Sequence, residues 1–300
     1  MRFSLILSFL LMTFAVHAKK KESFPQIDSV VQVLENLKSK IIGAEDPDKL
    51  ILNQQFHSVL GELLENYNTL NYDFSKLKSV SVLTGPKNRF RIYTWPLELS
   101  GESYDYYGFT QYLVKKKKKE IKVVTLENAI FDMAHEDTKS YQAEEWRGAL
   151  YYQLVPSKKN SKKFVLLGWD GHNGRSTKKI IEVISFSRKG IPTFGAGILK
   201  FNVGSKRQVK YKTKFRVVFE YSNKVAMLLK YDKNLKMIVF DHLSPTTPNL
   251  KGVPAAYVPD FSYDGFVFKS GKWYMQTNVE AKNRKQAKPK KYKPSDYPSP

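Results

Sequence analysis

The chain has 300 residues and no cysteine, which excludes disulfides, thiolate nucleophiles and cysteine metal sites. Its 42% hydrophobic and 14% aromatic content is that of a folded chain with a real core. The formal net charge of +22 comes from 41 lysines against 9 arginines, and bidentate readout of bases and phosphates favours the guanidinium. Sequence-specific nucleic-acid recognition is therefore disfavoured; attraction to anionic surfaces remains, beside the plainer role of solvated lysines as solubilisers.

The chain opens MRFSLILSFLLMTFAVHAKKK, with Arg2 before an apolar stretch over 3–16 and a small-residue pattern at Val16, His17 and Ala18. Residues 1–18 read as a secretory signal peptide cut after Ala18, too short for the roughly 20 apolar residues of a spanning helix. This predicts a periplasmic or extracellular protein with no transmembrane segment after cleavage.

Residues 19–76 form a helical region. Ile27, Val30, Val31, Leu34, Leu37 and Ile41 recur at helical spacing over 24–42, with Asp28 or Ser29 near the start and Gly43 after the end. A second helix is predicted from Asp46-Pro47, carrying Leu52, Phe56, Val59, Leu60, Leu63, Leu64 and Tyr67 on one stripe. The short GAED link makes the pair a helical hairpin.

From residue 77 to 279 the period becomes 2, which predicts an antiparallel β domain. The strands fall at 79–83, 89–95, 106–114, 120–126, 149–155, 163–169, 180–186, 193–201, 214–221, 225–231, 237–242, 265–269 and 272–277. In KFRVVFEY, Phe215, Val217, Phe219 and Tyr221 face one way and Arg216 and Glu220 the other. FVLLGW is apolar on both faces and belongs in a sheet covered on both sides. KYDKNLK and FKSGKW are hairpin bends, and KKKKK at 115–119 is a basic hairpin tip. The fold class is thus α+β, mainly β: a helical hairpin followed by an extended antiparallel meander, arranged as a sandwich, barrel or propeller. Residues 280–300, basic and Pro-rich, read as a disordered tail.

The stretch GWDGHNGRSTKK poses the main chemical question. A Walker loop needs GxxxxGK[ST], but Trp169 stands where the first glycine belongs, Arg175 replaces the lysine, and a β-branched run rather than a helix follows. Asp170, His172 and Gly174 do not supply the alternating oxygen ligands of a calcium loop. A hairpin loop whose polar side chains wall a site is the better reading.

Acid-base chemistry must draw on His57, His135, His172 and His242. Asp170 with His172, and Asp241 with His242, sit at the ends of β runs where loops converge. No HExxH spacing and no GxSxG elbow accompanies them, so no metal, cofactor or catalytic residue is assigned. Glu144, Glu145, Glu182 and Glu220 offer glycosidase carboxylates without a pairing. Tyr104, Tyr106, Tyr107, Trp169, Tyr263, Phe266, Trp273 and Tyr274 serve either as core or as a glycan or peptide platform.

The segments YDYYGFTQY, KKFVLLGWDG, KKIIEVISF, KMIVFDHLSP and YDGFVFKSGKWY together resemble uncharacterised secreted proteins of Bacteroidota-type bacteria. That resemblance implies periplasmic or envelope residence and contributes no catalytic residue. The leading expectation is an exported, non-catalytic cell-envelope protein that binds or scaffolds an envelope protein or anionic polymer. Its ligand-binding candidates are Trp169, Asp170, His172, Arg175, Asp241 and His242, with Lys-rich loops meeting anionic surfaces. The second expectation is a periplasmic hydrolase of an envelope polymer that uses Asp170, His172, Asp241 and His242.

Overall fold

A computed structural model describes residues 24–128, 136–156, 161–204, 208 and 210–279. The predicted leader at 1–18, His135 and the tail at 280–300 lie outside these residues.

Two helices open the described chain, α1 (Pro25–Ile42) and α2 (Asp46–Leu64). α1 matches the predicted 24–42: Pro25 fixes the first-turn backbone and leaves Asp28 inside that turn, where its carboxylate accepts the Tyr72 hydroxyl at 2.7 Å. Asp46 does not cap α2 but stands in its first turn, and its carboxylate accepts the Ser100 amide at 2.9 Å.

The strands form three sheets. The first takes β1 (Ser81–Thr84), β2 (Phe90–Leu99), β3 (Ser103–Lys115) and β4 (Glu120–Leu126) in sequence order. The middle sheet has the order β11-β7-β6-β5, from β5 (Leu150–Leu154), β6 (Lys163–Asp170), β7 (Ser176–Phe186) and β11 (Val217–Ser222), with β8 (Pro192–Phe194) also paired to β7. The outer sheet, ordered β10-β9-β15-β14-β13-β12, uses β9 (Leu199–Asn202), β10 (Tyr211–Lys214), β12 (Leu229–Asp232), β13 (Met237–Pro245), β14 (Tyr257–Lys269) and β15 (Lys272–Gln276). Among the described residues the strands of these sheets pair antiparallel except β15 with β9, and an isolated bridge between Asn128 and Trp146 is also parallel. Among the described residues the strands close no barrel, and no helix is long and apolar enough to cross a membrane.

Three cores between these elements define four layers. Ile27, Leu34, Phe56 and Leu60 of the helices pack on Tyr93, Trp95, Leu97 and Phe109 of the first sheet. Polar latches add direction: Trp95 Nε1 donates to Asn53 Oδ1 at 2.9 Å, and Gln111 Nε2 to the Leu64 carbonyl at the end of α2, at 2.6 Å. The opposite face of the first sheet, with Phe90 and Ile92, meets Leu166, Ile180 and Ile184 of the middle sheet. The other face of the middle sheet, with Val165, Leu167, Ile181 and Val183, meets Ile238, Phe240, Phe266 and Trp273 of the outer sheet. The two-faced apolarity of FVLLGW thus has its cause: β6 is covered from both sides.

The meander is broken in two places. The run predicted at 193–201 divides at Gly195, whose φ of 88° turns the chain from β8 toward β9 in the outer sheet. The run at 214–221 divides at Phe215 and Arg216, where the chain returns from β10 to β11. The Ala196 amide donates to the Phe215 carbonyl at 3.3 Å, so the two crossings lie side by side. β12 starts at Leu229 rather than 225, and β14 runs eight residues upstream of the predicted 265, through Pro259.

One ion pair is buried among these layers. Arg216 Nε lies 3.0 Å from Glu182 Oε2, both side chains are fully enclosed, and the guanidinium also donates to the Lys139 and Phe194 carbonyls. Burial pushes the Glu182 carboxyl upward, opposed chiefly by the Arg216 charge. Replacing Arg216 by Met is expected to cost about 3–5 kcal/mol near neutral pH, because it strands a buried carboxylate. The variant's loss should shrink as pH falls through about 4 and vanish toward about 3, where the carboxyl is neutral folded and unfolded. Urea unfolding across pH checks this; a pH-independent loss would refute the assignment.

Candidate functional site

β6 ends on Trp169 and Asp170, and the chain reverses through 171–175 into β7. Asp170 is buried and anchors the turn: Oδ1 accepts the His172 amide at 2.8 Å, its backbone carbonyl accepts Thr177 Oγ1 at 2.8 Å, and Arg147 Nη1 stands 3.7 Å from Oδ2. The Tyr106 hydroxyl accepts the Gly171 amide at 2.7 Å and bonds to Asp170 in turn. Asn173 Oδ1 accepts the amides of Arg175 and Ser176 at 2.9 and 3.0 Å. These four amides bond within the fold, so they do not form a phosphate cradle. The stretch is a self-capped hairpin turn, with His172 held at a φ of 58° and Arg175 exposed near its apex.

His172 belongs to a polar cluster beside the turn. Lys178 Nζ donates to Nδ1 at 3.1 Å, which leaves the ring proton on Nε2, 3.6 Å from Glu220 Oε1. Ser176 Oγ donates to the same Glu220 oxygen at 2.6 Å. Burial first, then the Lys178 charge, lowers the His172 pKa and favours the neutral ring.

Next to this cluster lies a cavity of about 480 Å³, in the size range of small-ligand sites. Trp169 and Tyr104 meet edge to face in its wall, with ring centres 5.4 Å apart, and Tyr221 and Met227 add apolar surface. Glu98, Glu102, Asn173, Asn223 and Lys179 supply charged and amide groups. Gly171 allows this wall to form, since a Cβ there would lie 2.3 Å from the Tyr104 ring. Burial, then the charge of Glu98, raises the Tyr104 pKa and keeps the phenol protonated as a donor.

The second Asp/His pair makes separate contacts on the outer sheet. Asp241 Oδ2 accepts the Leu228 amide at 2.7 Å, whereas His242 Nδ1 bonds Asp264 Oδ2 at 2.7 Å. His242 Nε2 lies 4.0 Å from Asp260. The bond to Asp264 raises the His242 pKa, with the Asp260 charge adding to it. Among the described residues, no group of three or more His, Asp or Glu side chains converges as metal ligands do. The structure therefore gathers Trp169, Asp170, His172 and Arg175 in one turn and leaves Asp241 and His242 in another network. Sequence reasoning missed Glu98, Glu102, Lys179, Asn223 and Asp264, because their places depend on strand register across distant segments.

No family model, curated protein or solved structure matches this chain.

The two histidines predict opposite stability profiles. His242, raised in the fold, contributes stability that is fully present below the unfolded value of about 6.5 and is lost as pH rises through its folded value. His172, lowered in the fold, contributes stability that is present above about 6.5 and is lost as pH falls through its folded value. Replacing His242 by Gln should thus hurt more at about pH 5 than at about pH 8.5, and replacing His172 by Gln the reverse. Urea midpoints of both variants test this, and equal effects at both pH values would sink it.

Proposed function

We propose that this chain is an exported cell-envelope binding protein that holds a sugar-sized part of an envelope polymer in the Trp169 cavity. The observation that carries this reading is the cavity's composition: the rings of Trp169 and Tyr104, beside the carboxylates of Glu98 and Glu102 and the amides of Asn173 and Asn223. A sugar ring offers C–H faces to aromatic surface and hydroxyls to carboxylates and amides, so this mixture suits it. The export half of the proposal rests on the leader read at residues 1–18.

The lysines act at longer range. The tip between β3 and β4 exposes Lys115 to Lys119 in sequence, and Lys115 meets Glu120 at 2.9 Å. Such a tip draws anionic polymer toward the chain without selecting a residue of it.

Retention of the full chain on purified envelope polysaccharide, at about 50 and about 500 mM salt, separates the two contributions. Trp169→Ala is expected to weaken binding about tenfold, or about 1.4 kcal/mol, at both salt levels. Exchanging Lys116, Lys117 and Lys118 for Ser should weaken it only at low salt. Wild-type affinity in the Trp169 variant would overturn the cavity assignment, and retention on no polymer at either salt would overturn the function.

A further inference from the structure

β13 and β14 pair regularly through Asp241 with Tyr263, and resume at Leu243 with Pro259. Three residues, Asp260, Phe261 and Ser262, therefore bulge opposite the single residue His242. The bulge holds Phe261 at a φ of 68°, with the residue 93% exposed. A β strand rarely keeps an aromatic residue in that region, and such backbone strain clusters at functional sites.

The polar groups at the bulge are ordered. Asp264 is paired with Phe240, which puts it one step diagonally from His242. Its buried carboxylate holds the Asn278 amide on Oδ1 at 3.1 Å and His242 Nδ1 on Oδ2 at 2.7 Å. That fixes the tautomer and leaves Nε2 on the outer side of a ring whose side chain is 45% exposed. Asp260, 4.0 Å from Nε2, is itself positioned by Ser244 Oγ at 2.9 Å and by the Ser262 amide and hydroxyl. Asp241 belongs to neither contact.

We propose that His242 is the general base of a hydrolytic site on the outer sheet, held in position by Asp264, that cleaves a neutral acyl ester. Nε2 takes a proton from water as the water oxygen bonds to the carbonyl carbon. The tetrahedral adduct then breaks its bond to the alcohol oxygen, and the proton on Nε2 passes to that departing alkoxide. Water and ester give acid and alcohol, with no change in oxidation state. A neutral substrate follows from the carboxylates of Asp260 and Asp264, which repel an anion at this spot. An ester suits a single imidazole better than an amide, because an alkoxide is a weaker base than an amide nitrogen's anion and departs more readily, taking up the Nε2 proton as it goes. The exposed ring of Phe261 offers apolar surface to the acyl group. This site uses residues apart from those of the Trp169 cavity and does not depend on the binding function proposed above.

Hydrolysis of 4-nitrophenyl acetate by the full chain is the test. The wild type should exceed free imidazole at equal concentration, and His242→Gln should lower the rate at least about tenfold with its circular dichroism unchanged. Asp264→Asn should move the midpoint of the pH–rate profile downward, since the carboxylate that favours the charged ring is gone. A wild-type rate no greater than imidazole, or a His242→Gln variant as fast as wild type, overturns the base. A pH midpoint unmoved by Asp264→Asn overturns the positioning role.

Discussion

The burial of the middle sheet on both faces is the constraint on which the rest of the structure depends. Leu166, Ile180 and Ile184 point toward the first sheet, while Val165, Leu167, Ile181 and Val183 point toward the outer one. Each such side chain contributes about 1.5–3 kcal/mol by leaving water, and neither face has solvent to fall back on. Backbone polarity is met by neighbouring strands, so the sheet tolerates charge only where a partner is built in. Glu182 on β7 and Arg216, just ahead of β11, are such a pair, and Arg216 also satisfies the Phe194 carbonyl beside the crossing at Gly195.

A sheet sealed on both faces can offer chemistry only at its strand ends and at irregular edges. The turn after Asp170 is such an end: β6 and β7 fix where it emerges, and Tyr106 of the first sheet pins it from one side. The cavity then forms where this turn, the β2–β3 bend and β11 converge. At the outer sheet the irregularity is the bulge at His242. The two histidines show how environment divides one residue type. His172 has an ammonium on Nδ1 and is held neutral, whereas His242 has a carboxylate there and is drawn toward the charged form.

Local pattern explains why much of this architecture was legible from residues alone. Ile27 to Ile41 at helical spacing, the alternation of KFRVVFEY, and bends such as KSG require only near neighbours to be understood. The same locality explains the failures. Gly195 and Phe215 look like strand interior in the sequence because a change of sheet leaves the apolar pattern intact. The upstream half of β14 was passed over because Pro259 and Asp260 look like loop residues until the bulge is seen to accommodate them. In the candidate site, Asp170 and His172 are legible as a polar turn, but the contacts of Asp170 within that turn, and its absence from the cavity wall, are not. Sequence adjacency pairs His242 with Asp241, but strand alternation sends that side chain elsewhere and register supplies Asp264.

Charge adds a division of labour between distance and contact. The chain as a whole carries +22, yet the cavity beside Trp169 holds Glu98 and Glu102, and the bulge holds Asp260 and Asp264. A field from many lysines acts across the roughly 8 Å screening length of physiological salt and raises the rate of encounter with anionic polymer. In the Trp169 cavity two carboxylates stand against the one ammonium of Lys179, and at the bulge the nearest charges are carboxylates, so at short range both disfavour an anionic group and favour a neutral, hydroxyl-bearing or acyl-bearing one. An anionic polymer that carries neutral sugar or ester units meets both conditions: its charge brings it to the surface, and its neutral units are what the sites can hold.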